Sequence, residues 1–237
     1  MKKNIPNLIT LLNLVSGSAA LYLVLLDKPE LAMLFFFAAV VFDFADGLAA
    51  RLLKASSEIG RQLDSLADLV SFGLVPAAMV FTLLQLSSGH PGKGFGEMAF
   101  IEKAMLLSVL IVPALTALRL ARFNLMPPSE FFLGLPAPAF ALFWTGIYYE
   151  VIFSGSLFGQ AVGGWFIWAL MVVMSVLMVV PLPLLSLKIK SFGVRANFSM
   201  YLLLLFAAMV LVFAGIAGLP LIVLTYILLS LVRILLT

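Results

Sequence analysis

The chain has no cysteine and a single histidine, His90, among its 237 residues. Disulfides, thiolate metal sites and thiol nucleophiles are excluded, and so are imidazole-rich metal sites and histidine dyads. Charge is scarce as well: Asp, Glu, Lys and Arg make up 11% of the chain, against 64% hydrophobic residues. Soluble domains carry about 25% charged and roughly 45–50% apolar residues, so neither a water-soluble core nor a disordered chain fits. A mean hydropathy of +1.20 leaves one class, an all-α polytopic membrane bundle. No low-complexity tract, internal repeat or linker divides it, so residues 1–237 read as one integral membrane domain with no nucleic-acid partner.

What is present is a series of long apolar runs. At ~20 residues per span the length accommodates about eight helices. The breaks predict them at about 8–26, 31–53, 62–86, 101–123, 134–153, 163–187, 198–214 and 217–236. A signal-peptide reading of the first run fails on Asn7 and Asn13, which interrupt it. Basic residues set the orientation. With the N-terminus inside, Lys2, Lys3, Arg51, Lys54, Arg61, Arg119, Arg122, Lys188, Lys190, Arg195 and Arg233 share one side, and Lys28, Lys93 and Lys103 the other. That excess predicts cytoplasmic termini by the positive-inside rule.

Four acids stand where lipid should be: Asp43 and Asp46 in the second helix, Asp64 and Asp68 in the third. An aspartate at mid-span costs roughly 2.5–3.5 kcal/mol, so four cost about 10 kcal/mol or more before repulsion. Helical periodicity puts Asp43, Asp46, Gly47 and Ala50 on one broad face, and Asp64 and Asp68 on one face of the next helix. A short turn at about 54–61 makes the pair an antiparallel hairpin in which the four carboxylates converge. An all-oxygen donor set favours hard divalent ions, and two such ions form a clamp for displacement at phosphorus. Spacing alone also allows a proton or cation pathway, or internal pairing with Arg51, Lys54 and Arg61.

Written out, the stretch is Asp43-Phe-Ala-Asp46-Gly47-Leu-Ala-Ala50-Arg51, eight residues, Gly60, three residues, Asp64, three residues, Asp68. It matches the signature D-x2-D-G-x2-A-R-x8-G-x3-D-x3-D at every fixed position, and on it the chain resembles the CDP-alcohol phosphotransferases. Further stretches are similar to one branch, the integral-membrane CDP-diacylglycerol–serine O-phosphatidyltransferases. These are Ile5-Pro6-Asn7-Leu8-Ile9-Thr10, Ser71-Phe72-Gly73-Leu74-Val75-Pro76-Ala77, Arg119-Leu-Ala-Arg122-Phe123-Asn124 and Phe132-Leu-Gly134-Leu135-Pro136-Ala-Pro138. The resemblance implies CDP-diacylglycerol and L-serine as substrates and phosphatidylserine and CMP as products. It implies two divalent cations, Mg²⁺ or Mn²⁺, held by Asp43, Asp46, Asp64 and Asp68, with Asp68 also the general base. Gly47, Ala50 and Arg51 would line the cytidine diphosphate site, with Gly60 shaping the turn beside it. A homodimer in the cell (inner) membrane, with a cytoplasmic active site, completes the set. Another acceptor, glycerol 3-phosphate or inositol phosphate, and an ion-coupled transporter are the alternatives.

Other residues stay open between roles. Asn7 either caps the first helix behind Pro6 or reaches the nucleotide. Arg119 and Arg122, three apart, bind the serine carboxylate or the lipid phosphate, or enforce topology. Ser71, Phe72, Gly73 and Pro76 predict a bend just past Asp68. Phe35–Phe37 and Trp165–Trp168 are expected to face lipid or the interface.

Overall fold

The computed structural model describes residues 4–55, 57–87, 95–125, 132–154, 163–184 and 198–236. Lys2, Lys3, His90, Lys93, Lys188, Lys190 and Arg195 lie outside the described residues. The described chain is helical apart from one pair of two-residue strands.

Helices α1 (Ile5–Leu25) and α2 (Pro29–Leu52) form a closely packed hairpin. Asp27 ends α1 in the left-handed region at φ 55°, and the Lys28 N–H bonds the Leu23 carbonyl at 2.9 Å. Pro29, whose missing N–H costs nothing in a first helical turn, starts α2. The same device closes α2: Lys54 has φ 49°, and the Ala55 N–H bonds the Ala50 carbonyl at 3.0 Å. Ser57 then caps α3 (Glu58–Asp68), its Oγ accepting the Gly60 N–H at 3.0 Å.

From α3 the chain runs through a π-helical turn, Leu69–Leu74, into α4 (Val75–Ser87), a 30-residue rod. The departure expected past Asp68 is thus a widened turn. Pro76 has no N–H for the Phe72 carbonyl and its ring crowds that oxygen. The Val75 N–H instead reaches Val70, five residues back. Helices α5 (Phe100–Ser108) and α6 (Ile111–Leu125) make a second long rod, interrupted where Pro113 crowds the Val109 carbonyl.

Helix α7 (Ala137–Phe153) follows strand β1 (Phe132–Leu133), and α8 (Gly164–Val179) precedes β2 (Pro183–Leu184); the strands pair antiparallel. The helices expected at 134–153 and 163–187 are therefore shorter at this end. Val180 is extended, and Pro181 and Pro183 cannot continue a helix. Gly134 has φ 77°, and a Cβ there would overlap the Met178 carbonyl. Helix α9 (Phe198–Ala214) leads through a 3-10 turn, Gly215–Gly218, to α10 (Leu219–Leu236). A Cβ at Gly218 would overlap the Val210 side chain. Eight residues of straight helix span about 12 Å, so the chain folds back at Gly215, where φ is 56°.

By length and composition five stretches could cross a membrane: Ile5–Leu25, Pro29–Leu52, Glu58–Ser87, Phe100–Leu125 and Met200–Val232, the last of them divided by the fold at Gly215. Ala137–Phe153 and Gly164–Val179 are shorter apolar helices. Helix α7 sits inside the bundle against α4, the π turn and α10, and buries Phe140, Phe143, Trp144 and Tyr148. Between helices in lipid, dispersion and close fit replace the aqueous hydrophobic effect. Phe36, expected at the lipid surface, is wholly buried with its ring edge-on to Phe72 at 6.5 Å. A turn of ~100° per residue separates it from the exposed Phe35. Trp165 is exposed, whereas Trp168 is half-buried and donates to Ser108 Oγ at 2.8 Å.

Candidate metal centre

The Lys54 turn reverses the chain so that α3 packs against α1 rather than α2, and acids of α2 and α3 still come together. Asp43, Asp64 and Asp68 each present a carboxylate oxygen, and these atoms lie within 4.8 Å of one another. Asp46 lies outside this trio, one turn nearer the Lys54 end, where it is buried and faces Thr10 of α1. Its Oδ2, like Oδ1 of Asp68, is buried without a hydrogen-bond partner. At 4 Å two unit charges repel by about 4 kcal/mol at an effective dielectric of 20. Clustered, half-buried carboxylates with unpaired oxygens therefore suit a hard divalent cation, which takes oxygen ligands and cancels the repulsion.

Pairing with the cations of the turn is not what the structure builds. Arg51 is exposed, and its Nε donates back to the Gly47 carbonyl of its own helix at 3.0 Å. Lys54 and Arg61 are also exposed. Arg119 does lie within electrostatic reach of Asp68 and of Tyr226 of α10, and its Nε is buried without a hydrogen-bond partner. Arg122 is separated from it. Exposed, it donates from Nη1 to the Val179 carbonyl at 3.3 Å, at the C-terminal end of α8. The two arginines therefore do not converge.

Beside the cluster, a Cβ at Gly47 would meet nothing within 4 Å, so α2 is open there; Ala50, one turn on, is half-buried. Gly60 does not shape the turn as expected. It lies in the first turn of α3, where a Cβ would stand 2.8 Å from Oδ1 of Asn7 and 3.0 Å from Oγ of Ser57. Nor does Asn7 cap α1: the N-cap is Asn4, and Asn7 sits inside the first turn against Gly60. The helix starts earlier because Pro6 fits its first turn.

Several partners were missed from sequence. Thr10 flanks Asp46. Asn124 Nδ2 donates to Ser65 Oγ at 2.8 Å, tying α6 to the helix that carries Asp64 and Asp68. Ser71 Oγ donates to Asn13 Oδ1 at 2.7 Å, and Tyr226 stands beside Arg119. One signal was available: Asn7, Thr10 and Asn13 recur every third residue in an otherwise apolar run, marking a polar face.

Fold and site together define a membrane bundle with a carboxylate centre suited to a divalent cation. The model of the CDP-alcohol phosphatidyltransferase family matches residues 3–227, and the chain belongs to that family. It is similar to proteins named CDP-diacylglycerol–serine O-phosphatidyltransferase in several organisms. With that of Mycobacterium tuberculosis it shares 31% identity over 211 residues, 86% of this chain and 68% of the relative. With that of Bacillus subtilis identity is 35% over 135 residues, 56% of this chain and 69% of the relative. The Saccharomyces cerevisiae protein is 38% identical over 172 residues, 64% of this chain and 57% of the relative.

Proposed function

We propose that the protein transfers the phosphatidyl group of CDP-diacylglycerol to the hydroxyl of L-serine, giving phosphatidylserine and CMP. The observation that carries this is the meeting of Asp43, Asp64 and Asp68 within 4.8 Å in one membrane hairpin. The names of the relatives support serine as the acceptor.

In this reading Asp43, Asp46, Asp64 and Asp68 hold two divalent cations, Mg²⁺ or Mn²⁺. When bound, these would neutralise the diphosphate and the charge that develops on departing CMP. Asp68 takes the serine hydroxyl proton as that oxygen bonds to the lipid-side phosphorus. The bond from phosphorus to the CMP oxygen breaks, and the proton passes on to water. A carboxylate is a weak base for an alcohol, so proximity and fixed electrostatics supply most of the rate. The open flank at Gly47 and Ala50, with Arg51, Gly60 and Asn7, receives the cytidine diphosphate. Arg119, half-buried and within electrostatic reach of Asp68, takes an anionic group of the acceptor or lipid; Arg122 lies at the rim. The helices make eight crossings of the cell (inner) membrane with both termini cytoplasmic, the site opens to that side, and the protein works as a homodimer.

The test is CMP release from purified protein in vesicles containing CDP-diacylglycerol and Mn²⁺ or Mg²⁺. Serine, glycerol 3-phosphate, inositol phosphate and buffer are compared. Release that depends on serine is expected. Release with another acceptor would keep the site and overturn the substrate, and none with any acceptor would favour ion transport.

A further inference from the structure

Asp68, Phe72, Val75 and Met79 are spaced four, three and four apart, the recurrence of one face of an α-helix. Phe72, Val75 and Met79 are wholly buried in the apolar core. In a regular helix Asp68 would join that line, and Asp64, one turn earlier, would follow it. A carboxylate in such surroundings is costly to keep.

The π turn at Leu69–Leu74 prevents this. The Val75 N–H bonds the Val70 carbonyl, five residues back rather than four, so the rod carries one surplus residue between its two halves. Each residue turns a helix by about 100°. Ala67 rather than Asp68 therefore falls in line with Phe72, and Ala67 is wholly buried whereas Asp68 is half-buried. Turned off that line, Asp64 and Asp68 each bring a carboxylate oxygen within 4.8 Å of one from Asp43 on α2. Three helices hold the turn itself. Ser71 Oγ donates to Asn13 Oδ1 of α1 at 2.7 Å, and Phe72 packs edge-on against Phe36 of α2 at 6.5 Å. A Cβ on Gly73 would stand 3.2 Å from Thr116 Cγ2 of α6. With the turn fixed from three sides, its surplus residue appears as a rotation of α3.

We propose that the π turn is the positioning element of the carboxylate centre: its surplus residue aims Asp64 and Asp68 at Asp43. The purpose of that aim rests on the reading of the cluster as a metal site, but the aim itself is testable without metal. The chain has no cysteine, so Asp43→Cys/Asp68→Cys supplies a single thiol pair. The pair is treated, in the full chain in lipid nanodiscs, with a short membrane-permeant reagent that joins two thiols, and melting temperature reports the fold. Cross-linking is expected. Deleting Val70 together with Pro76→Ala, which restores the missing N–H, removes the surplus and lets a regular helix close. Both halves keep their phase, so the cross-link persists. Inserting one alanine after Val70 turns the acids by about 100° more, and the cross-link is lost. A cross-link absent from the parent pair, lost in the deletion with the fold retained, or kept in the insertion would overturn the proposal. Should the insertion not fold, the deletion decides. Mn²⁺ titrated calorimetrically into the unmodified chain and Asp68→Asn tests the metal reading separately: equal affinity would end that reading and leave the cross-linking result as it is.

Discussion

Gly60 and Asn7 compete for one space: a Cβ on the glycine would stand 2.8 Å from the asparagine Oδ1. Two terms therefore oppose each other in Gly60→Ala. Alanine gains about 1 kcal/mol of helix propensity, while overpacking at a tight contact costs about 1–3 kcal/mol. A net loss is expected, seen as a lower melting temperature in detergent and reduced turnover. Truncating the neighbour in the Asn7→Ala/Gly60→Ala pair should restore stability. A single Gly60→Ala variant more stable than the parent would contradict the contact.

Arg119 and Arg122 share a helix face by spacing but not by environment. Arg119→Ala removes a half-buried cation near Asp68 and should lower kcat/KM by about a hundredfold, the scale of one hydrogen bond to a charged group. Arg122→Ala loses an exposed bond to the Val179 carbonyl and should cost less than about threefold. Steady-state kinetics on both variants checks this; equal losses would mean that the two act together.

The 2.8 Å bond from Asn124 to Ser65 fastens α6 to the acid-bearing helix. A double-mutant cycle with Ser65→Ala and Asn124→Ala should give a coupling energy of about 1 kcal/mol in thermal stability. Additive effects would show that the bond does not hold the two helices together.

Asp68→Asn keeps the shape of the side chain and removes its basicity. Turnover is expected to fall by about 10²–10⁴, the range of general acid–base catalysis. Near-normal turnover with metal still bound would remove Asp68 from the proton-transfer step.

The hairpin of acids was legible because charge is rare in this chain and its spacing follows the helix turn. Asp43, Asp64 and Asp68 meet as that spacing implied, and Asp46, beside Thr10, lies near enough to act electrostatically on Asp64. Burial was not legible. Phe36 in the core and Phe35 at the surface look alike in sequence, because lipid and protein interior are equally apolar. Capping by Asn7 failed because Pro6 suits a helix already begun. The strand pair at Phe132–Leu133 and Pro183–Leu184 and the electrostatic pairing of Arg119 with Tyr226 join residues far apart in the chain, which no local pattern encodes.

The most direct test counts Mn²⁺ bound per chain by equilibrium dialysis in nanodiscs, for the unmodified protein and for Asp43→Asn, Asp46→Asn, Asp64→Asn and Asp68→Asn. Two ions per chain are expected, with fewer or weaker ions in every variant and loss of activity on chelation that added Mn²⁺ reverses. No bound ion, or binding unchanged in all four variants, would contradict a metal centre in this hairpin.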